Sequence, residues 1–241
     1  MSGFPGELKR IMLKLSGEAL GGKDGSGLDF PTVRRVSREI VEVVNSGIQA
    51  AVVMGAGNLF RGNMGTIDGM NPVIADQIGM TATLMNALAL RSFINDEGGR
   101  STVLTAFDSA PIAEKYYPKL GNGYLEYSVV TLLAGGTGNP FFTTDTAAVL
   151  RALELNCQIV FKASKVDGVY DSDPVKNPAA KRFDEITYDE VLKRGLGVMD
   201  LTAVTLAQQN DMPLMVFNLQ DEGAMVKIVA GQTELGTLIH T

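Results

Sequence analysis

Two lysines stand where apolar strand patterns end, and a carboxylate lies between them in the sequence. Lys14 falls in the run Ile11-Met12-Leu13-Lys14-Leu15, Lys162 follows a second apolar run, and Asp145 precedes a helical pattern. Phosphoryl transfer depends mainly on positioning and on positive charge around the moving group. Lys14 and Lys162 are therefore candidate phosphate clamps, and Asp145 would orient them or join a magnesium ion. The structural alternatives are a surface lysine with a buried stem and a helix N-cap for Asp145.

The loop at residues 137–144 is the most informative stretch of the chain. It reads Thr-Gly-Asn-Pro-Phe-Phe-Thr-Thr, follows the apolar run at 129–133 and precedes the helical pattern at 147–153. A strand-to-helix loop points the free N–H groups of the next helix outward, where an anion can bind. The sequence leaves two roles for Phe141 and Phe142: they could pack in the core, or they could line a pocket for a base.

Three other segments resemble known motifs without matching them. Residues 17–24 approach the phosphate-loop pattern, but Asp24 occupies the position of the hydroxyl that should hold magnesium. The glycines at 55–62 have the wrong spacing for a dinucleotide fingerprint. Asp167, Asp171 and Asp173 lack the later glutamate of a calcium loop and are better interpreted as turn carboxylates.

Composition bounds the classes of function. The chain has 241 residues, 45% of them apolar and 20% charged, and a net charge of −6, which argues against broad nucleic-acid or membrane binding. No apolar run approaches the ~20 residues of a membrane span. The single cysteine, Cys157, excludes an intramolecular disulfide and predicts a cytoplasmic protein with a buried thiol. The single histidine, His240, is the penultimate residue, which argues against histidine triads and histidine metal sites.

Strand and helix patterns alternate along the whole chain. This alternation predicts an α/β fold, a three-layer αβα sandwich with a mostly parallel central sheet, in one domain spanning residues 1–241. Residues 1–7 are expected to be flexible. Ligands of such sheets bind at the carboxyl ends of the strands, so the loops described above should converge on one rim.

The individual elements follow from periodicity and capping residues. Helices are predicted at 31–46, 71–95, 112–117, 147–153, 187–194, 201–210 and 222–230. Strands are predicted at 11–15, 48–54, 101–106, 129–133, 157–161, 213–217 and 237–239.

Four of these loops together resemble the uridylate kinase branch of the amino acid kinase family. The segments are 14–18 (Lys-Leu-Ser-Gly-Glu), 55–62 (Gly-Ala-Gly-Asn-Leu-Phe-Arg-Gly), 137–145 and 162–170, and they occur in the family's order. The downstream triplet Met199-Asp200-Leu201 strengthens the match to this branch. The resemblance implies transfer of the γ-phosphate of ATP to UMP, giving ADP and UDP, with Mg²⁺, in pyrimidine nucleotide biosynthesis leading to CTP. It also implies a cytoplasmic homohexamer that GTP activates and UTP inhibits.

The resemblance carries binding roles to positions in this chain. The ATP side would comprise Lys14, Leu15, Ser16, Gly17, Gly57, Arg61, Ser164, Tyr170 and Asp173. The UMP side would comprise Ala56, Asp76, Thr137, Gly138, Asn139, Pro140, Phe141, Phe142, Thr143 and Thr144. Lys14, Asp145, Lys162 and Arg61 would be catalytic, and no metal ion would be held by protein ligands alone.

Three positions depart from the family pattern. Ala56 replaces a glycine, and its methyl group would crowd a phosphate-binding backbone unless its φ angle is negative. Ser164 replaces a common threonine and keeps the hydroxyl. Residues 96–100 lack the basic pattern of the GTP site, although Arg91 fits it. A kinase of an amino acid or a carbamate, and a non-catalytic nucleotide-binding protein, are the alternative functions.

Overall fold

Strands and helices alternate along the chain in the computed structural model, which describes residues 3–21, 25–60, 69–174 and 176–241. The strands are β1 (Arg10–Leu15), β2 (Gln49–Met54), β3 (Ser101–Thr105), β4 (Glu114–Lys115), β5 (Val130–Ala134), β6 (Val160–Ser164), β7 (Glu185–Thr187), β8 (Leu214–Asn218) and β9 (Gly236–His240). The helices are α1 (Gly17–Leu20), α2 (Phe30–Asn45), α3 (Pro72–Asp96), α4 (Pro118–Glu126), α5 (Thr144–Glu154), α6 (Tyr188–Arg194), α7 (Leu201–Gln209) and α8 (Ala224–Val229).

The strands that the structure describes form a single sheet in the order β4-β3-β5-β2-β1-β6-β8-β9-β7. Every neighbouring pair is parallel except β8 and β9. Helices cover both faces, because successive strand residues point to opposite sides. On β1, Ile11, Leu13 and Leu15 enter one core with α2, α3 and α8, whereas Met12 enters the other with α5, α6 and α7. The predicted three-layer sandwich with a mostly parallel sheet is confirmed.

Helix α3 is the longest helix in the described residues. Asn71 caps it by accepting a hydrogen bond from the Val73 amide, and Pro72 follows as a first-turn residue. By length and composition alone, this helix could cross a membrane. It packs against the sheet and α2 instead, burying Ala87, Leu90 and Ile94 completely. Packing therefore accounts for the apolar residues on the buried side of this helix.

The predicted helix at 112–117 is wrong. Glu114 and Lys115 pair with Leu104 and Thr105 as a short edge strand, and the helix of this region begins at Pro118. A proline disfavours helical backbone angles at the residue before it. Tyr117, which precedes Pro118, is accordingly extended, with φ −148° and ψ 151°. The proline therefore sets where the helix starts.

The start of β6 also differs from the prediction. Residues 157–159 precede the strand, and the Cys157 amide donates to the Ala152 carbonyl (2.8 Å), which closes the end of α5. The Cys157 thiol is buried, as expected. At the amino terminus, Phe4 lies against the core and the Glu7 carbonyl accepts a bond from Gln158.

Candidate active site

Strand register brings Lys14 and Lys162 together. The two residues are partners on the neighbouring parallel strands β1 and β6. Both point to the face opposite Leu13 and Phe161, because side chains alternate along a strand. That face is covered by α5 and α7. Two ammonium groups therefore meet at one place on the sheet, as the sequence predicted.

Asp145 lies between the two ammonium groups. The Lys14 Nζ is 2.8 Å from Asp145 Oδ1, and the Lys162 Nζ is 2.7 Å from Asp145 Oδ2. All three side chains are largely buried, with 10% to 15% of each exposed. Asp145 does not cap helix α5, since the cap is Thr143, whose hydroxyl accepts from the Asp145 and Thr146 amides. The expected alternative role of Asp145 as an N-cap is therefore wrong.

The electrostatics of this triplet follow from burial and mutual proximity. Burial alone would raise the pKa of Asp145, but the two lysine charges outweigh it and hold that pKa below its usual range. Burial lowers the pKa of Lys162, and the proximity of Lys14 adds to this, while Asp145 opposes the shift. The triplet carries net positive charge when both lysines are protonated.

A large cavity opens beside Lys162. It has a volume of about 620 Å³, and Ser164, Tyr170 and Asp173 line it together with Lys162, as the resemblance implied for a nucleotide donor. Residues 194–198, before α7, form another wall that the sequence analysis did not assign. The Val198 carbonyl accepts a bond from the Lys162 Nζ (2.5 Å).

A second, smaller cavity has a volume of about 170 Å³, and all of its lining residues precede Asp145 in the sequence. Its lining includes the predicted residues Ala56, Asp76, Asn139, Phe142, Thr143 and Thr144. Phe60, Thr83 and Gly136 also line it, and these were not predicted. Three residues predicted for the ATP side line the larger cavity, six predicted for the UMP side line the smaller one, and the other described residues predicted for these two sides line neither.

Phe141 and Phe142 do not pack in the core. Their exposed fractions are 75% and 51%, and only Phe142 lines the smaller cavity. Phe141 has a left-handed φ of 69°, a conformation that costs about 1–3 kcal/mol for such a residue. The Asp76 carboxylate stabilises this turn by accepting a hydrogen bond from the Phe141 amide (2.7 Å). Asp76, on α3, is thus tied directly to the loop at 137–144.

The remaining predicted residues have varied positions. Thr137 accepts a bond from the Asn139 amide within the same loop, while Gly138 and Pro140 do not line the smaller cavity. The Leu15 side chain is in the core. The backbone carbonyl of Leu15 accepts a hydrogen bond from the Gly55 amide, which joins the loop after β1 to the loop after β2. Ala56 does not have a positive φ angle, so its methyl group causes no left-handed backbone strain. Arg61 lies outside the described residues.

Gly17 and Gly57 lie where the loops after β1 and β2 meet. A Cβ atom on Gly17 would be 2.7 Å from the Gly57 nitrogen and 2.8 Å from the Gly55 oxygen. No side chain fits in that space, so the loops can approach only because residue 17 is glycine. Ser16 precedes it as the residue before α1.

Asp200 is a site residue to which the sequence analysis gave no role. Its carboxylate accepts bonds from the hydroxyls of Thr143 and Thr146 and caps α7 through the Ala203 amide. It therefore fixes the first turn of α5, which carries Asp145. An aspartate before a helical pattern is the signal of an N-cap, but its contact with Thr143 depends on the packing of α5 against α7.

Comparisons with known proteins give matches along nearly the whole chain. The sequence profile of the amino acid kinase family matches residues 9–218. A uridylate kinase from Roseobacter denitrificans is 49% identical over 224 residues, 93% of each chain. One from Pseudomonas syringae pv. syringae is 48% identical over 239 residues, 99% of this chain and 97% of the relative. The crystal structure of a UMP kinase from Bacillus anthracis superposes with a TM-score of 0.94 at 34% identity, covering 98% of this chain and 97% of the other.

Proposed function

This chain belongs to the amino acid kinase family, and from that premise we propose that it transfers the γ-phosphoryl group of ATP to UMP, giving ADP and UDP. The reaction supplies UDP for pyrimidine nucleotide synthesis leading to CTP. The observation that carries the proposal is the placement of Lys14, Asp145 and Lys162 at one point near the carboxyl ends of the central strands β1 and β6. The larger cavity adjoins Lys162, and the loop lining the smaller one leads directly into Asp145.

The larger cavity would hold ATP and the smaller one UMP. On the ATP side, Ser164, Tyr170 and Asp173 would contact the nucleoside, and Lys14, Leu15, Ser16, Gly17, Gly57 and Arg61 would surround the phosphates. On the UMP side, Asp76 would accept bonds from the ribose hydroxyls, and the loop at 137–144 would surround the acceptor. The Asp76 carboxylate has acceptor sites beyond the one that the Phe141 amide uses.

The lysines would act by balancing charge. The transferred group carries negative charge over its oxygens, and positioned cations in a buried site stabilise it. Lys14 and Lys162 are positioned before substrate binds, because Asp145 holds both ammonium groups. The acceptor phosphate needs no general base, since its second pKa is near ~6 and it is largely ionised at neutral pH.

The residues present fit a magnesium ion held chiefly by nucleotide phosphates. Mg²⁺ in phosphotransfer sites commonly uses one or two carboxylates together with substrate phosphates and water. Asp145 is the carboxylate beside the lysines that would share in holding it. When bound, Mg²⁺ would neutralise phosphate charge.

Assembly and regulation extend the proposal. We place the protein in the cytoplasm as a homohexamer, activated by GTP and inhibited by UTP. The buried single thiol of Cys157, whose pKa burial raises to about 12, is consistent with a reducing compartment. Exposed apolar side chains on α3, namely Ile74, Ile78 and Met85, are consistent with subunit contacts.

A coupled assay for ADP tests the proposal. The full chain is given ATP and Mg²⁺ with UMP, CMP, dUMP, aspartate, acetylglutamate or carbamate, each with and without GTP. We expect the highest kcat/KM for UMP, with UDP as the product. Turnover of an amino acid or carbamate in place of UMP would indicate a sister kinase. ATP binding without ADP formation on any acceptor would indicate a non-catalytic protein.

A further inference from the structure

A reciprocal pair of buried amides joins helix α3 to the glycine loop after β2. The exposed fractions of Asn58 and Asn86 are 5% and 1%. The Asn58 Nδ2 donates to Asn86 Oδ1 (3.0 Å), and the Asn86 Nδ2 donates to Asn58 Oδ1 (2.8 Å). Each amide therefore both donates to and accepts from the other.

The second N–H group of each amide binds a loop carbonyl. The Asn86 Nδ2 donates to the Gly55 carbonyl (2.8 Å), and the Asn58 Nδ2 donates to the Gly27 carbonyl (2.6 Å). The Gly27 amide returns a bond to the Asn58 carbonyl (2.8 Å). All four N–H donors of the pair therefore have acceptors. Buried polar networks that are fully satisfied in this way make the surrounding structure rigid.

The pair also touches the loop that follows Lys14. A Cβ atom built on Gly17 would lie 2.5 Å from the Asn58 Oδ1, so the carboxamide fills the space beside that glycine. Helix α3, the loop at 55–58 and the loop at 16–17 thus meet at the two amides. Neither asparagine lines the two cavities described above. Any effect on catalysis must pass through the loops.

We infer that Asn86, acting through Asn58, is a positioning residue for phosphoryl transfer. The inference rests on the proposed kinase function. The amide pair sets the separation between the glycine backbone at 55–57 and the loop at 16–17, which follows Lys14 on β1. Since it contacts neither nucleoside cavity, its loss disturbs alignment of the reacting groups more than substrate affinity. Small misplacements of reacting groups cost about 10²-fold in rate.

The test compares Asn86→Leu with wild-type protein. Leucine has the same branching and number of side-chain heavy atoms as asparagine but offers no donor to Gly55 or Asn58. We expect kcat to fall about 10-fold to 100-fold, with KM for ATP and for UMP each within about threefold of wild type. A second variant, Asn58→Ala, removes the partner amide and should lower kcat similarly. Combining Asn58→Ala with Asn86→Ala should cost little more than either alone, because one unit is lost.

Two variants elsewhere on α3 control for loss of stability. Leu90 and Ile94 are fully buried and bond neither loop. Leu90→Ala should lower Tm more than Asn86→Leu does, and Ile94→Val should lower it less. At temperatures well below Tm, both control variants should keep kcat within about twofold of the wild-type value. The inference fails if the Asn86 and Asn58 variants keep wild-type kcat, or if their losses appear only in KM.

Hydrogen exchange separates this inference from the kinase proposal. Amides at residues 16–20 and 55–58 should exchange faster in Asn86→Leu than in Ile94→Val. Unchanged exchange there would overturn the positioning role whatever the substrate. A wild-type protein that forms no UDP would overturn the kinase proposal instead, and the exchange comparison would still decide whether the amides fix the loops.

Discussion

Lys14 and Lys162 are register partners on adjacent parallel strands, and a single carboxylate, Asp145, binds both of their ammonium groups. The arrangement needs three elements at once. Strands β1 and β6 place the two lysines on one face, and the first turn of α5 brings the aspartate over them. An acidic residue in a first helical turn is also favoured by the helix dipole.

The first prediction concerns the charge on Lys14. Lys14→Ala should lower kcat with ATP and UMP by about 10²–10³, the cost of one lost group that stabilises transition-state charge. Steady-state kinetics measure this. Lys227→Ala removes an exposed lysine on α8 that lines neither cavity, and it should leave kcat unchanged. A Lys14→Ala variant with half of the wild-type turnover would remove Lys14 from the mechanism.

The second prediction concerns pH. Because burial lowers the pKa of Lys162 below the ordinary 10.5, its charge in the free enzyme is lost at a lower pH than that of an exposed lysine. Positive charge is needed for transfer, so kcat/KM should decrease as pH rises, with its midpoint below 10.5. The folded state also releases this proton more easily than the unfolded state, so this group adds stability as pH rises through that window.

A charge-retaining variant checks the assignment of that alkaline limb. Arginine stays protonated throughout this range, so Lys162→Arg should abolish or displace the limb even if its kcat is lower. An unaltered limb in Lys162→Arg would assign the titration to another group. Unfolding must be monitored at each pH by circular dichroism.

The third prediction separates the two substrates. Asp76→Ala removes both the proposed ribose contact and the bond that holds the Phe141 amide. We expect KM for UMP to rise about tenfold or more, the scale of a hydrogen bond to a charged group, while KM for ATP changes little. Equal rises in both constants would refute a ribose contact on this residue.

The fourth prediction uses the close approach at Gly17. Gly17→Ala should destabilise the protein or abolish activity, because the added Cβ would overlap the backbone at Gly55 and Gly57. Thermal unfolding and kcat measure the two outcomes. Gly123→Ala is the matched control: its Cβ meets nothing within 4 Å, and it lies within helix α4. Replacing that glycine should be neutral or stabilise by about 0.4–1 kcal/mol. Normal folding and turnover in Gly17→Ala would contradict the packing argument.

The sequence predicted most of the architecture because its signals are local. Alternating apolar patterns located the strands, and capping residues such as Thr187 located helix starts. Where a local signal was misjudged, the prediction was wrong. Pro118 begins α4, and the preceding residues form a short strand at the sheet edge instead of the predicted helix.

The individual candidates for the site also came from the sequence. Lysines at strand ends, a hydroxyl-rich strand-to-helix loop and glycines in tight loops each have a chemical reason to bind phosphate. The assignment of these residues to a donor and an acceptor side was implied by resemblance to a family and stays a prediction, although some members of each side line a separate cavity. The exposure of Phe141 and the contact of Asp76 with its amide were not predictable, since both depend on how α3 packs beside the loop.

By itself, then, the amino-acid sequence determined the alternation of elements, the mostly parallel sheet and the charged residues near the carboxyl ends of its strands. The tertiary structure alone decided which of them meet. The pairing of Asn58 with Asn86, the contact of Asp200 with Thr143 and the shared carboxylate of Asp145 join residues 17 to 131 positions apart. Such contacts depend on strand register and helix packing, which arise from the whole core and leave no periodic trace in any short segment.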